Sequence, residues 1–286
     1  MPISQTDLIL NPDGSIYHLN LLPEHIAETI ITVGDPDRVA HVSDHFDVVD
    51  EKIHKREFVT HVGYIRKKKV TVISTGIGTD NIDIVLNELD ALVNIDLNTR
   101  EPKPNTRKLN IIRIGTSGAL QENITVGSHL ATDYAVGFDN LMSFYPLEVD
   151  DFEATLSNDI REKFTLRFSP YVVRGSALLR RQFGRQMISG NTVTCPGFYG
   201  PQGRNLRKEG AFPNLVKQFQ DYHSQILDFR LTNFEMETAG YYGLGRLLGH
   251  EILSVNAIIA NRVKSEFAAD PHAVVDTLIK KVLENI

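Results

Sequence analysis

The chain has 286 residues, of which 42% are hydrophobic and 23% are charged, and this composition is typical of a folded globular protein rather than a disordered one. Its 30 Lys and Arg residues against 36 Asp and Glu residues give a formal charge of −6. This balance excludes the broad basic surface that binds nucleic acid or an anionic membrane. Any anion that the protein binds therefore requires a local basic pocket.

Cysteine usage and hydropathy predict a cytoplasmic protein. The single cysteine, Cys195, cannot form a disulfide within the chain, and residues 1–12 lack the basic start and apolar core of a signal peptide. The longest apolar runs, such as 252–260, are much shorter than the ~20 residues needed to span a bilayer. We therefore expect neither a membrane nor a nucleic acid as partner.

In the first half of the chain, short apolar runs at 29–33, 70–75 and 109–114 each stop at a glycine, which predicts buried strands that end in loops. Apolar residues from Ile82 to Leu92 recur at helical spacing between the second and third runs. This strand–helix–strand unit predicts a parallel sheet.

A hairpin and a second series of elements complete the predicted fold. Runs 58–66 and 69–75 flank a Lys-Lys turn and predict an antiparallel hairpin on the same sheet. The polar segment 98–108 predicts an exposed loop inside one domain rather than an interdomain linker, because the strand after it continues the same alternation. We therefore expect a single α/β domain over 1–286, with a central mixed, mostly parallel sheet flanked by helices. The later elements are predicted as a helix near 214–227, a strand near 231–236, a helix at 242–248, a strand at 251–260 and a closing helix at 272–283.

Two basic segments follow predicted strands and are candidate anion sites. In the turn 34–38 (Gly-Asp-Pro-Asp-Arg), the Gly34 amide and the Arg38 guanidinium can approach an anion together, although a plain turn is the alternative. In 113–118 (Arg-Ile-Gly-Thr-Ser-Gly), Arg113 lies in an apolar strand, where burial is costly unless it meets an anion or forms a structural salt bridge with a buried carboxylate. No Gly-Lys-Ser or Gly-Lys-Thr sequence is present, which argues against nucleoside triphosphate hydrolysis.

Two further segments carry candidate ligand-binding groups. In 198–204 (Phe-Tyr-Gly-Pro-Gln-Gly-Arg), an aromatic face, an amide and a guanidinium can hold a planar heterocycle, or they form only an aromatic-anchored loop. In 233–237 (Asn-Phe-Glu-Met-Glu), two carboxylates at i, i+2 share one face if the strand persists, and holding sugar hydroxyls is a better interpretation than glycosidase chemistry. The alternative is that these two carboxylates only stabilise the N-terminus of the following helix. His41 and His45 lack the glutamate of a zinc protease, so we expect no metal site.

Taken together, these segments resemble the nucleoside phosphorylase I family, and within it the uridine phosphorylases. The resemblance spans nearly the whole chain and implies the three-layer α/β/α fold of that family and reversible phosphorolysis of uridine. It implies no cofactor other than phosphate as co-substrate, and a homo-oligomer that is a dimer or a hexamer of dimers. The segments that carry it are 17–21 (Tyr-His-Leu-Asn-Leu), 34–38, 56–58 (Arg-Glu-Phe), 74–78 (Ser-Thr-Gly-Ile-Gly), 113–116, 198–204 and 261–262 (Asn-Arg).

The same resemblance implies a role for each candidate residue. Arg204, Gln202, Arg113 and Glu237 would be catalytic, and His18 and Arg56 would reach a neighbouring subunit's site. Phosphate would be held by Gly34, Arg38, Arg56, Arg113, Ile114, Gly115 and Thr116. Ribose would be held by His18, Thr116, Met236 and Glu237. The base would be held by Ser117, Gly118, Phe198, Gln202, Gly203 and Arg204.

The chain also departs from the family pattern. After Gly76-Ile77-Gly78 this chain has Thr79-Asp80-Asn81, where relatives usually have Pro-Ser. Some relatives hold a monovalent cation with that serine and a glutamate that matches Glu57. The sequence therefore gives little support for such a cation here. Asn261 stands where purine-cleaving relatives typically have an aspartate, which argues against purines. A nucleosidase, a purine nucleoside phosphorylase and a non-catalytic nucleoside-binding protein are the alternatives.

Overall fold

One eleven-stranded mixed sheet contains strands from both halves of the chain. The computed structural model describes residues 2–225 and 227–286. Its strands are β1 (Thr29–Val33), β2 (Val48–Lys55), β3 (Phe58–Ile65), β4 (Lys68–Ser74), β5 (Ile95–Asp96), β6 (Glu101–Pro102), β7 (Asn110–Ala119), β8 (His129–Gly137), β9 (Tyr171–Arg174), β10 (Ile188–Thr194), β11 (His223–Ser224), β12 (Phe229–Arg230), β13 (Asn233–Glu235), β14 (Glu251–Asn261) and β15 (Glu266–Phe267). Its helices are α1 (Asp37–Ser43), α2 (Thr79–Asn94), α3 (Asp151–Lys163), α4 (Ala177–Phe183), α5 (Leu215–Asp221), α6 (Thr238–Leu248) and α7 (Pro271–Leu283).

The outer strand pairs of the sheet are antiparallel, and its interior contains both parallel and antiparallel pairs. Strand β1 pairs in parallel with β4 and β7, and β7 pairs in parallel with β14. The edge strands β2 and β3 are antiparallel, as are β9 and β15. The predicted mixed sheet flanked by helices is therefore confirmed, with parallel pairing concentrated away from the edges.

Five strands of this sheet close into a ring. Strand β14 pairs antiparallel with β8, β8 pairs with β10, β10 with β13, and β13 returns to β7. The pairs that close the ring join residues 129–131 to 255–257, which lie more than a hundred positions apart along the chain. The ring holds the polar segment 115–118 of β7 against the end of β13, and this places candidate site residues side by side.

Apolar periodicity predicted the first-half elements, but the end of one strand was wrong. The run 109–114 was expected to stop at Gly115, whereas β7 continues to Ala119, because residues 115–119 pair with β14 and residues 118–119 also pair with β13. Strand β1 is buried along almost its whole length, and the apolar face of α2 from Ile82 to Leu92 is fully buried in the core. The predicted hairpin is the antiparallel pair β3–β4. Segment 98–108 is mostly exposed, but residues 101–102 within it form β6, which pairs with β5.

Element boundaries in the second half differ from the predictions. The helix predicted near 214–227 ends at Asp221, because the chain then enters the small hairpin β11–β12; Ile226 of that segment lies outside the described residues. The strand predicted near 231–236 is shortened to Asn233–Glu235, and the following helix starts at Thr238, four residues earlier than predicted. In the part of the chain that the structure describes, no helix is long and apolar enough to cross a membrane.

Candidate active site

A cavity of about 730 Å³ lies at the carboxyl ends of β1, β4 and β7 and beside β13. In open α/β sheets this end of the strands is where ligands bind, and the volume is suited to a small organic ligand. The cavity lining includes twelve of the predicted site residues: Gly34, Arg38, Arg113, Gly115, Thr116, Ser117, Gly118, Phe198, Gln202, Arg204, Met236 and Glu237.

Arg38 supplies a positive charge at one end of this cavity. It lies in the first turn of α1, directly after the Gly34 turn, and its Nη1 donates to the carbonyl of Ile114 at 3.4 Å. Burial lowers the pKa of Arg38, the charge of Asp35 opposes that shift, and the charge of Arg113 adds to it. A desolvated guanidinium in these surroundings is well suited to bind an anion.

Arg113 lies beside Arg38 but is held by protein groups. Its Nη2 is 2.9 Å from a carboxylate oxygen of Glu235 and 2.5 Å from one of Glu237. Burial alone would lower the pKa of Arg113, but the charges of Glu235 and Glu237 outweigh it and raise that pKa above its usual value. The salt bridge to a buried carboxylate, one of the two explanations for an arginine in this strand, is therefore present within the cavity.

A buried polar network fixes the other side of the same guanidinium. Nη1 of Arg113 donates to the hydroxyl of Ser254 at 3.2 Å and to the amide oxygen of Asn256 at 3.1 Å. Both partners are on β14, whose register places Ser254 directly beside Arg113, and both are fully buried. A side chain at residue 115 would overlap this guanidinium, so Gly115 is needed for the close approach.

Glu237 reaches the cavity from a turn rather than from a strand. Strand β13 stops at Glu235, and Glu237 is the residue before helix α6, so the two carboxylates do not share a strand face. They converge on Arg113 because the turn folds Glu237 back toward β7. Its Oε1 also accepts the Gly78 amide at 2.8 Å. Burial raises the pKa of Glu237, Arg113 opposes this shift and Glu235 adds to it.

The other end of the cavity is formed by an aromatic ring, an amide and a guanidinium. The Arg204 guanidinium stacks on the Phe198 ring at 3.7 Å, and its Nη1 donates to the Phe198 carbonyl at 2.7 Å and to Gln202 Oε1 at 2.5 Å. With Oε1 of Gln202 engaged, its amide hydrogens remain for a ligand. Burial first, and then the charge of Arg262, lowers the pKa of Arg204 to about 10.

Four predicted site residues do not line the cavity of this chain. His18 pairs with Glu88, whose Oε1 is 2.6 Å from His18 Nδ1, and Arg56 lies over the Tyr17 ring at 6.0 Å. A role for His18 and Arg56 in a neighbouring subunit's site stays a prediction. The other two contribute backbone: the Ile114 carbonyl accepts from Arg38, and Gly203 ends the short helix that carries Gln202.

Several residues around the site were missed at the sequence level. Ser254 and Asn256 are polar residues in an apolar strand, the same signal that singled out Arg113, and they carried no functional prediction. Glu235 was recognised as one of two carboxylates without a role of its own. Asn81 and Glu57 also line the cavity.

Asn261 has a structural role in this chain. Its amide nitrogen donates to the carbonyls of Gln121 and Ile124, and its oxygen accepts from the amides of Val263 and Lys264. The side chain is fully buried, is not among the residues lining the cavity and uses its hydrogen-bonding groups within the protein. Across the residues that the structure describes, no group of three or more His, Cys, Asp or Glu side chains is arranged to hold a metal ion.

Comparison with known proteins decides the family. Residues 28–285 match the family model described as the phosphorylase superfamily. The chain belongs to the phosphorylase superfamily. This superfamily member is 30% identical over 259 residues to a uridine phosphorylase of Thermococcus kodakarensis, and the match covers 89% of this chain and 80% of that relative. It is also 30% identical over 261 residues to a uridine phosphorylase of Haemophilus influenzae, and this match covers 88% of this chain and 89% of that relative.

Solved structures agree with the superfamily assignment. A Trypanosoma brucei nucleoside phosphorylase that shows uridine phosphorylase activity superposes with a TM-score of 0.89 at 28% identity, over 98% of this chain and 99% of that one. A purine nucleoside phosphorylase of Toxoplasma gondii shares the fold with a TM-score of 0.67 at 20% identity, over 97% of each chain.

Proposed function

We propose that the chain is a uridine phosphorylase, a pentosyltransferase that catalyses reversible phosphorolysis of uridine to uracil and ribose 1-phosphate. The observation that carries the proposal is one cavity whose lining combines the half-buried Arg38 and the buried Arg113 with the Phe198, Gln202 and Arg204 cluster. Relatives named uridine phosphorylase, at 30% identity over most of the chain, support the same activity.

The anion end binds phosphate in this proposal. The Arg38 guanidinium and the turn at Gly34 approach the anion from β1, and Arg113 with Gly115 and Thr116 approach it from β7. Charge-assisted hydrogen bonds from arginines are the strong interactions available for a phosphate dianion. Holding phosphate next to the sugar's C1′ also makes the attack effectively intramolecular.

The sugar lies between the two ends. Glu237 and the backbone at Met236 accept its hydroxyl hydrogens, which orients C1′ toward phosphate. As the glycosidic bond breaks, positive charge develops on the ribosyl group, and the negative phosphate beside it stabilises that charge. Glu237 orients the sugar and does not attack it.

The base end stabilises the leaving group. Uracil stacks on Phe198 beside Ser117 and Gly118, while Gln202 and Arg204 donate to its oxygens. Uracil gains negative charge as the bond to ribose breaks, so these donors bind the transition state more strongly than the ground state. Such a donor is worth ~3 kcal/mol in the transition state. The dimeric or hexameric assembly and the cytoplasmic location stay predictions.

Release of uracil from uridine, measured with and without phosphate, tests the proposal. We expect release to require phosphate or arsenate, because the paired arginines bind an oxyanion rather than neutral water. Equal release in phosphate-free buffer indicates a nucleosidase, preference for inosine over uridine indicates a purine nucleoside phosphorylase, and binding without turnover indicates a nucleoside-binding protein. Each of these three results refutes the assignment.

A further inference from the structure

The charged groups that line the cavity have a negative formal sum. They are four carboxylates and three guanidiniums, and one of these guanidiniums, that of Arg204, stacks on Phe198. A dianion placed at the Arg38–Arg113 end adds two negative charges near the buried carboxylates Glu235 and Glu237, where repulsion between like charges is less screened than in water. The lining groups are Asp35, Glu57, Glu235, Glu237, Arg38, Arg113 and Arg204.

The two carboxylates that face Arg113 differ in their other hydrogen bonds. Glu235 accepts from the Thr194 hydroxyl at 2.7 Å and from the backbone amides of Glu237 and Thr238 at 2.9 and 3.0 Å. Glu237 accepts only the Gly78 amide besides Arg113, among the residues described. Apart from Arg113, Glu235 therefore keeps three hydrogen-bond donors and Glu237 keeps one, so Glu237 depends more on Arg113 for stabilisation of its negative charge.

The two terminal nitrogens of the Arg113 guanidinium are bonded to protein groups. Its Nη1 is fixed on β14 by Ser254 and Asn256, and its Nη2 is bonded to both carboxylates, while its Nε carries no hydrogen bond among the described residues. An anion that takes a hydrogen bond from Nη2 competes with Glu237 for it, and an anion bound to Nε brings its negative charge close to the buried Glu235 and Glu237. In either position the anion weakens the stabilisation that Arg113 gives to the ionised form of Glu237.

We propose that binding of an oxyanion at the Arg38–Arg113 end is accompanied by uptake of one proton from solvent onto Glu237. The proton adds to Glu237, which has fewer hydrogen-bond donors than Glu235, and the resulting carboxyl donates a hydrogen bond to the anion or to Glu235; no covalent bond other than this O–H bond forms or breaks. The inference rests on the anion site of the proposed function. The raised pKa of Glu237, caused by its burial, agrees with it.

The surroundings of Glu237 leave few other groups to take up this proton. On β7 it faces Arg113, on α6 it faces Tyr241, and on β13 it faces Glu235. Glu235 in turn interacts with Asp139, Tyr171, Cys195 and Tyr242. Asp139 is held by two bonds from the Tyr171 hydroxyl and by the Leu141 amide, away from Arg113. Asp35 and Glu57 are the remaining acids of the cavity lining.

Calorimetric titration of the full chain with sulfate tests the inference without turnover. Sulfate remains a dianion at every pH used, so any proton taken up on binding goes to the protein. Titrations in buffers of different ionisation enthalpy give the number of protons exchanged. We expect about one proton taken up per site near neutral pH, and a sulfate Kd that rises about tenfold per pH unit over the range in which uptake occurs.

Variants assign the proton to its site. Glu237→Gln is neutral at every pH, so we expect it to bind sulfate with no proton uptake and with a Kd that no longer depends on pH. Glu57→Gln is the matched control, since it removes another acid of the cavity, and we expect its uptake to equal that of the unaltered protein. Uptake that is absent in the unaltered protein, or that persists in Glu237→Gln, overturns the inference, as does failure of both sulfate and phosphate to bind.

Turnover is measured separately on the same preparations. Proton-linked sulfate binding without phosphorolysis of uridine refutes the proposed function and keeps the inference. Phosphorolysis without proton uptake refutes the inference alone.

Discussion

Arg204→Ala is the variant that most directly examines how the base is expelled. The Arg204 guanidinium is held in place by stacking on Phe198 at 3.7 Å and by hydrogen bonds of 2.7 and 2.5 Å to the Phe198 carbonyl and Gln202. In the proposed function, this fixed guanidinium donates to the leaving uracil without reorganisation. Losing one such preorganised donor costs ~3 kcal/mol in the transition state, which corresponds to a roughly 100- to 200-fold lower turnover.

The assay follows uracil release by Arg204→Ala with uridine and phosphate varied independently. We expect kcat to fall while the phosphate KM changes little, because Arg38 and Arg113 bind phosphate from other elements of the fold. Arg204→Lys should recover only part of the rate, since an ammonium does not reproduce the planar guanidinium. Arg207→Ala, on the exposed part of the same loop, is the control and should match the unaltered protein. Near-normal turnover by Arg204→Ala would refute the role given to Arg204.

Two further predictions concern assembly and stability. When the His18→Ala variant and the Arg113→Ala variant are mixed, part of the activity that each lacks alone should return, because one of the two sites in a mixed dimer has both residues. If no activity returns after subunit exchange has been demonstrated, the sites are not shared between subunits. Glu153→Ala should lower the free energy of unfolding by ~1–3 kcal/mol in denaturant titrations, because Glu153 is 1% exposed and accepts the backbone amides of Asp150 and Arg174 as well as two bonds of 2.6 Å from Arg246. Its control is Glu162→Ala on the same helix, and equal stability of the two variants would be inconsistent with this reasoning.

The sequence was most informative about elements whose structure depends on residues close together along the chain. The strand β1, the hairpin β3–β4 and the apolar face of α2 follow from local periodicity, and they were predicted. Closure of the ring depends on β14 meeting β8, a pairing between distant segments that periodicity does not encode. Mixed pairing was predicted from the hairpin, but the ring was not.

The same distinction applies to the site. Gly34 and Arg38 follow one predicted strand and Arg113 lies within another, so parallel pairing of these two strands brings them together. The bonds that fix Arg113 could be predicted only by knowing that Asn256 lies near it on β14 and that a turn carries Glu237 back toward β7. Both facts depend on tertiary pairing, so the sequence left two explanations for Arg113. The structure shows the salt bridge, and the bound anion belongs to the proposed function.

The closed ring determines how a ligand enters and leaves. Each of its five strands is paired on both sides, so the inner wall at β7, β13 and β14 cannot widen without breaking sheet hydrogen bonds, which open slowly and cooperatively. The cavity lining includes Ile77 and Phe198 on loops and Phe267 on the short edge strand β15, and these side chains are 69%, 49% and 66% exposed. Loop motions take nanoseconds to microseconds, far less time than sheet opening. The residence time of a ligand in this cavity is therefore governed by the apolar entrance. Substitutions at the entrance should alter the rates at which a ligand binds and dissociates, while the backbone amides of β7, β13 and β14 keep their protection from hydrogen exchange.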